Sequence, residues 1–177
     1  MLDFFKFLNR FFMVPAFRLG LGPVIGNPIS GYIMVIETLG RKTGERRFTP
    51  VNYALIDGSV YCLAGFGSKA HWLLNLQAQP NAALILPGRR VYAHAMEVSD
   101  SQLRVRAARQ VLINGGFAGF FFGFNPRSVD DDRLEQALED IPVLAFDVEN
   151  LDRRAGDPGG YLWLLWLLLI AVLIRLS

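Results

Sequence analysis

The sequence contains few of the side chains on which most enzymes build a catalytic site. Among its 177 residues there are one cysteine, Cys62, and two histidines, His71 and His94. A lone cysteine excludes a disulfide within the chain. The same inventory argues against a structural zinc site, which takes four nitrogen or sulfur ligands at close spacing. Neither a Gly-x-Ser-x-Gly elbow nor a Gly-x-x-x-x-Gly-Lys-Ser/Thr loop occurs. No catalytic side chain can therefore be named, and no metal is expected.

The chain also lacks an excess of charge of either sign, since the net charge is only +2. This argues against a nucleic-acid partner, because nucleic-acid-binding domains usually carry a larger basic excess with interleaved aromatic residues. Four basic residues are concentrated around a turn bounded by Gly40 and Gly44, namely Arg41, Lys42, Arg46 and Arg47. A tight turn exposes backbone N–H groups, and cations add charge-assisted hydrogen bonds to an anion. The turn is either a solvated hairpin tip or a site for a phosphate or polyanionic tail.

Short apolar segments separated by hairpin signals predict a mainly β fold with added helices, α+β. Turns are expected at Asp57-Gly58 and Pro87-Gly88. A capping box of Ser99 and Gln102 is expected to begin one helix. Strands are predicted over residues 32–36, 48–56, 59–66, 82–86, 89–98 and 142–148, and helices over residues 69–79, 99–113 and 130–139. Few long crossovers indicate an antiparallel barrel or sandwich.

A long apolar run ends the chain, over residues 161–174. As a helix, residues 159–176 would extend about 27 Å, slightly less than the ~30 Å of a bilayer core. Three aromatic residues gather at its start, as in membrane interfaces: Tyr161, Trp163 and Trp166. Arg153 and Arg154 precede it and favour a cytoplasmic domain. The sequence therefore predicts a single-pass protein of the cell membrane with a cytoplasmic catalytic domain. The alternative is a helix that docks on the protein itself or on a partner.

Two aromatic segments have more than one interpretation. Residues 1–13 place phenylalanines at helical spacing, which fits a helix on a bilayer surface or one packed on the barrel. The phenylalanine-rich residues 117–124 fit core packing, a membrane contact or an acceptor pocket.

The sequence is predicted to divide into four parts: an N-terminal amphipathic helical segment (1–30), a barrel domain (31–150), a linker (151–160) and a membrane anchor (161–176).

An ordered set of motifs carries a family resemblance. Gly40-Arg41-Lys42-Thr43-Gly44 is followed by Arg47 and Pro50, then by Asp57-Gly58, His71-Trp72, Asn75-Leu76 and Pro80. Over residues 32–148 the chain resembles the deazaflavin-dependent nitroreductases. The resemblance implies a split β-barrel of the FMN-binding kind, a homodimer, and coenzyme F420, an 8-hydroxy-5-deazaflavin with a phosphate and oligoglutamate tail.

The resemblance also implies which residues contact the coenzyme. Arg41, Lys42 and Thr43 correspond to the contacts of the tail, and Trp72 is central to one of the segments that surround the ring. The full set of expected cofactor-binding residues is Arg41, Lys42, Thr43, Arg47, Phe48, Thr49, Pro50, Val51, Asn52, Leu63, Ala64, Gly65, Phe66, Ser68, Lys69, His71, Trp72, Leu73, Leu74 and Asn75.

Three departures from the family pattern bear on the reaction. Gly65-Phe66 occupies the place of a family Ser-Lys pair, Leu73 replaces a frequent tyrosine, and phenylalanines replace a tyrosine-rich substrate segment. Nitroreduction assisted by tyrosine hydroxyls is therefore not supported. The predicted function is hydride transfer from the reduced deazaflavin to a small apolar or lipid-soluble acceptor, a quinone or a nitro compound, with a membrane quinone favoured. The alternatives are an FMN-binding split-barrel reductase and a non-catalytic cofactor-binding membrane protein.

Overall fold

Six antiparallel strands close into a barrel in the order β1-β2-β3-β6-β5-β4. The computed structural model describes residues 12–18, 21–26, 31–116, 123–148 and 164–176. The strands are β1 (Ile33–Leu39), β2 (Arg46–Ile56), β3 (Ser59–Leu63), β4 (Asn81–Leu86), β5 (Arg89–Glu97) and β6 (Val143–Val148). The helices are α1 (Val14–Arg18), α2 (Gly22–Ile25), α3 (His71–Ala78), α4 (Ser101–Asn114), α5 (Asp131–Ala137) and α6 (Leu164–Leu176), with a 3₁₀ turn at Gly67–Lys69.

The barrel interior holds the main hydrophobic core. Met34 and Ile36 on β1 point inward, whereas Val35 between them packs outside against α1, because successive side chains of a strand face opposite sides. Tyr53 from β2 and Phe146 from β6 complete the centre of this core, and both are fully buried. The predicted barrel with added helices is thus confirmed.

The two predicted hairpin turns are present. Asp57 and Gly58 join β2 to β3 with positive φ angles of 52° and 84°, as a tight two-residue hairpin requires at both central positions. Pro87 and Gly88 join β4 to β5, and Gly88 has a φ of 78°. These dipeptides set the antiparallel register of the neighbouring strands.

Helices cover two sides of the barrel. α4 packs Val105, Ala108 and Val111 over Ala54 of β2, and α5 adds Leu134 to the same cluster. The expected capping box at Ser99 is wrong, since α4 begins at Ser101 and Asp100 accepts the Leu103 N–H at 2.7 Å. A carboxylate at the N-cap already satisfies this otherwise unpaired donor, so no box is needed.

The C-terminal helix contradicts the predicted membrane location of the protein. α6 spans 13 residues, which is about 20 Å of helix against the ~30 Å that a bilayer core requires. Within the described ranges, no helix combines the length and the apolar character needed to cross a membrane. The predicted transmembrane anchor, and with it the single-pass membrane protein with a cytoplasmic domain, is therefore wrong. Of the residues 159–176 assumed to be helical, the structure describes a helix over Leu164–Leu176.

Several sequence predictions fall outside the described residues. These are the N-terminal stripe over residues 1–11, most of the phenylalanine segment (residues 117–122) and the linker (residues 151–160).

Candidate functional site

The basic turn between β1 and β2 is closed by its own backbone. The Gly44 and Thr43 N–H groups donate to the Gly40 carbonyl at 2.7 and 3.1 Å, and the Gly40 N–H donates to the Glu45 carbonyl at 2.8 Å. Gly44 has a φ of +68°, a conformation that costs a residue with a Cβ about 1 kcal/mol or more. The turn therefore holds Arg41, Lys42 and Thr43 together at the end of the barrel.

Asn75, on α3, ties this turn to the helix. It is 5% exposed, and its Oδ1 accepts from the Arg41 backbone N–H at 3.2 Å and from Arg41 Nη1 at 3.1 Å. Its Nδ2 donates to Thr38 Oγ1 at 3.3 Å. One buried amide thus joins α3, the end of β1 and the first cation of the turn.

A cavity of about 770 Å³ opens between the turn, β2 and α3. Four cations line it, and no acidic side chain is found among its lining residues within the described ranges, so the cavity has a positive potential. Its lining comprises Val14, Gly40, Arg41, Lys42, Thr43, Arg46, Arg47, Phe48, Thr49, Pro50, His71, Trp72 and Asn75.

One strand, β2, borders this cavity. It pairs with β1 from Arg46 to Asn52, whereas its described pairing with β3 begins at Tyr53. Phe48 and Pro50 add apolar surface. Trp72, 7% exposed, forms part of the opposite wall.

Two of the four cations pair with a carboxylate: Arg46 with Glu37 at 2.9 Å, and Arg47 with Glu45. Arg47 Nη2 donates to Glu45 Oε2 at 2.7 Å, and both side chains are more than half exposed. An exposed ion pair of this kind contributes about 0–1 kcal/mol. Arg47 can therefore exchange Glu45 for an incoming anion at low cost.

The single cysteine is not a candidate nucleophile. Cys62 is fully buried on β3, and burial raises the pKa of its thiol. A thiolate is the nucleophilic form, and a buried neutral thiol is inert.

The cavity brings together ten of the twenty sequence-predicted contacts. These are Arg41, Lys42, Thr43, Arg47, Phe48, Thr49, Pro50, His71, Trp72 and Asn75. The other ten do not line it. Val51, Ala64 and Leu73 pack with the barrel core and Leu63 with the α4 cluster, while the Asn52 amide donates to the Tyr32 carbonyl at 3.1 Å. Leu74 is half-buried on α3, and the remaining four lie in the largely exposed segment before α3: Gly65, Phe66, Ser68 and Lys69. Their contact with a coenzyme stays a prediction.

Three lining residues were not among the predicted contacts: Val14, Gly40 and Arg46. Arg46 belongs to the basic cluster, and Gly40 bounds the turn. Val14 comes from α1, and no sequence pattern placed this helix beside the turn.

Comparison with known protein families identifies the coenzyme that the chain uses. The sequence pattern of the family described as F420H(2)-dependent quinone reductase matches residues 14–118, more than half of the chain. The chain belongs to this F420H(2)-dependent quinone reductase family. It is accordingly an oxidoreductase with F420 as coenzyme, which confirms the resemblance seen in the sequence and excludes the non-catalytic alternative.

Solved structures agree on the fold. A candidate 5-nitroimidazole antibiotic resistance protein from Bacteroides thetaiotaomicron shares 12% identity at a TM-score of 0.51, covering 68% of this chain and 74% of that one. A conserved hypothetical protein from Mycobacterium tuberculosis shares 15% identity at a TM-score of 0.51, and the match covers 77% of this chain and 84% of that one. No curated protein sequence matches the chain.

The residues of the cavity fit F420 chemically. A multiply anionic tail requires Arg and Lys donors, which the turn and the start of β2 supply. A flat ring requires an apolar surface with a few polar groups, which Trp72, Phe48 and Thr49 supply.

Proposed function

We propose that this enzyme reduces a small apolar quinone with F420H2 bound in the 770 Å³ cavity. In this arrangement Arg41, Lys42 and Arg47 hold the acidic tail, while Trp72, Phe48 and Pro50 bound the ring. The observation that carries the proposal is the meeting of a four-cation rim and an apolar slot in one cavity. The coenzyme, when bound, supplies the hydride; a quinone that accepts it together with one proton becomes the hydroquinone.

The protein's own contribution is binding and orientation. Asn75 holds Arg41 through two hydrogen bonds, so the tail meets a donor whose position is already fixed. The backbone of β2 pairs with β1 from Arg46 to Asn52, so this stretch of β2 is held rigidly where the ring would lie. Fixed groups lose little conformational entropy on binding, which favours affinity.

An apolar acceptor is supported by the walls of the site. Trp72 is continuous with the barrel core, and Phe48 packs with the α1 cluster. Outside the cationic rim the cavity thus offers aromatic and aliphatic contacts, which suit a quinone ring better than a charged substrate. The family description points to the same class of acceptor.

The test is to mix the purified protein with F420H2 and menadione, and to follow the return of the oxidised deazaflavin by its absorbance. A nitroaromatic compound of similar size serves as the competing acceptor. We expect saturable oxidation with the quinone and a lower kcat/KM with the nitro compound. A rate with menadione equal to that of the same mixture without protein would refute the proposal.

A further inference from the structure

A buried carboxylate on the outer face of the barrel holds two arginines. Glu37 of β1 is 9% exposed, and its Oε1 accepts from Arg46 Nη1 at 2.9 Å while its Oε2 accepts from Arg90 Nη2 at 2.7 Å. Arg46 is on β2 and Arg90 on β5, so the Arg90 side chain reaches across β4 to meet Glu37. The hydrogen bond to Glu37 raises the pKa of Arg90, which keeps this guanidinium charged.

The positive charge at this site exceeds the negative charge of Glu37. One guanidinium neutralises one carboxylate, yet Glu37 has two, and Arg89 lies beside Arg90 at the start of β5. We call Arg46, Arg89 and Arg90 the outer arginine cluster. The side chains of Arg46 and Arg90 are 66% and 40% exposed. Each guanidinium has five N–H donors, so donors remain for an external anion.

A second cavity, of about 540 Å³, lies over this cluster. All three arginines line it, together with apolar side chains such as Phe48 and Ile85. Arg46 and Phe48 also line the 770 Å³ cavity at the basic turn. The two cavities therefore share a wall, and an extended anion leaving the turn would pass Arg46 to reach Arg89 and Arg90.

We propose that the outer arginine cluster is a second anion subsite that binds glutamate carboxylates of the F420 tail beyond those held at the basic turn. This inference rests on the proposed binding of F420 in the first cavity. Glu37 acts as a positioning residue, because it holds one nitrogen of each guanidinium, while Arg90 Nη1 also donates to Tyr92 Oη at 3.3 Å. An ion pair with a guanidinium that is already fixed costs less conformational entropy than one with a mobile side chain.

The test compares dissociation constants for tail-free deazaflavin, short-tailed F420 and long-tailed F420, measured by fluorescence in the absence of any acceptor. The natural protein is expected to bind the long-tailed form about threefold to fivefold more tightly than the short-tailed form, the gain of one or two exposed ion pairs. Arg90→Gln should remove this gain and leave the affinity for tail-free deazaflavin unchanged. Raising the ionic strength should also abolish the gain in affinity of the long-tailed form, since exposed ion pairs are screened by salt.

Two further variants provide a second test and a control. Arg89→Gln leaves the Glu37 ion pairs intact, so it should reduce the gain without affecting folding. Arg106→Gln, a change of the same charge at a mostly exposed arginine paired with Asp57, should keep the full gain. An unchanged gain in both Arg89→Gln and Arg90→Gln, or no gain in the natural protein, would overturn the inference. Binding of tail-free deazaflavin and quinone reduction would still report separately on the proposed function.

Discussion

At the scale of single residues, Asn75 has the most demanding position in the site. It is buried and uses both ends of its amide, accepting twice from Arg41 and donating to Thr38. Aspartate would lack the donor and leucine would lack both groups. An amide is therefore the side chain that satisfies a buried donor and a buried acceptor at once.

Replacing Asn75 by alanine should loosen the basic turn. We expect a loss of about 1–3 kcal/mol in the free energy of unfolding, because buried partners lose their hydrogen bonds. The KM for F420H2 should rise while kcat falls less, since Arg41 loses its fixed position. Urea unfolding and steady-state kinetics measure the two effects. Gln77→Ala, at an exposed position of the same helix, is the control, and equal effects in both variants would contradict a positioning role.

Cys62 allows a prediction about pH. Burial raises the pKa of the thiol in the folded protein, so its contribution to stability is complete below the pKa of the unfolded thiol, about 8.5. Above that pH the unfolded chain loses the proton and the folded chain keeps it, so stability falls. Between pH 7 and pH 10 the loss from this group should be about 2 kcal/mol.

The measurement is the free energy of urea unfolding for the natural protein and for Cys62→Ala at both pH values. The variant lacks the thiol, so its stability should fall less, and the gap between the two proteins should narrow by about 2 kcal/mol at pH 10. A constant gap would show that the thiol titrates normally in the folded state.

At the scale of elements, the basic turn depends on glycine at its second end. Gly44 has a φ of +68°, and a Cβ placed there would meet no atom within 4 Å. The cost of Gly44→Ala is therefore conformational, about 1–2 kcal/mol in the free energy of unfolding. Gly65→Ala is the matched control, since a Cβ there also meets nothing and its φ is not positive. Equal melting temperatures for the two variants would contradict this account of the turn.

Elements with a strong local signal were predictable from the sequence. The two hairpins follow from Asp57-Gly58 and Pro87-Gly88, because Asp57, Gly58 and Gly88 adopt the positive φ angles that such turns need. Alternating apolar residues similarly located the strands that the barrel contains. The N-cap of α4 was misplaced because Ser99 and Asp100 are both good capping residues, and which one caps depends on where the helix begins.

Other features depend on how elements are arranged in space. The membrane span was predicted wrongly because an apolar composition does not show how many consecutive residues form one helix. The link between Asn75 and Arg41 joins residues 34 positions apart, which periodicity does not reveal. Likewise, Glu37 meets Arg90 only because β4 lies between β1 and β5 in the closed barrel.

At the scale of the whole molecule, barrel closure assembles the site. It brings α3 against the end of β1 and places the cationic turn in one cavity with apolar side chains such as Phe48 and Trp72. We propose that the cations of this turn hold the acidic tail of F420.

The most direct test neutralises Arg41, Lys42 and Arg47 together to glutamine and measures the dissociation constant of F420. All three side chains are exposed, so folding should be preserved, and at about 1 kcal/mol for each lost contact the constant should rise about 100-fold. The control neutralises three exposed arginines on α4, α5 and the loop before α5, namely Arg106, Arg127 and Arg133, and should change the affinity by less than about threefold, since distant exposed charges are screened. An unchanged affinity in the first protein, or an equal loss in both, would contradict the account.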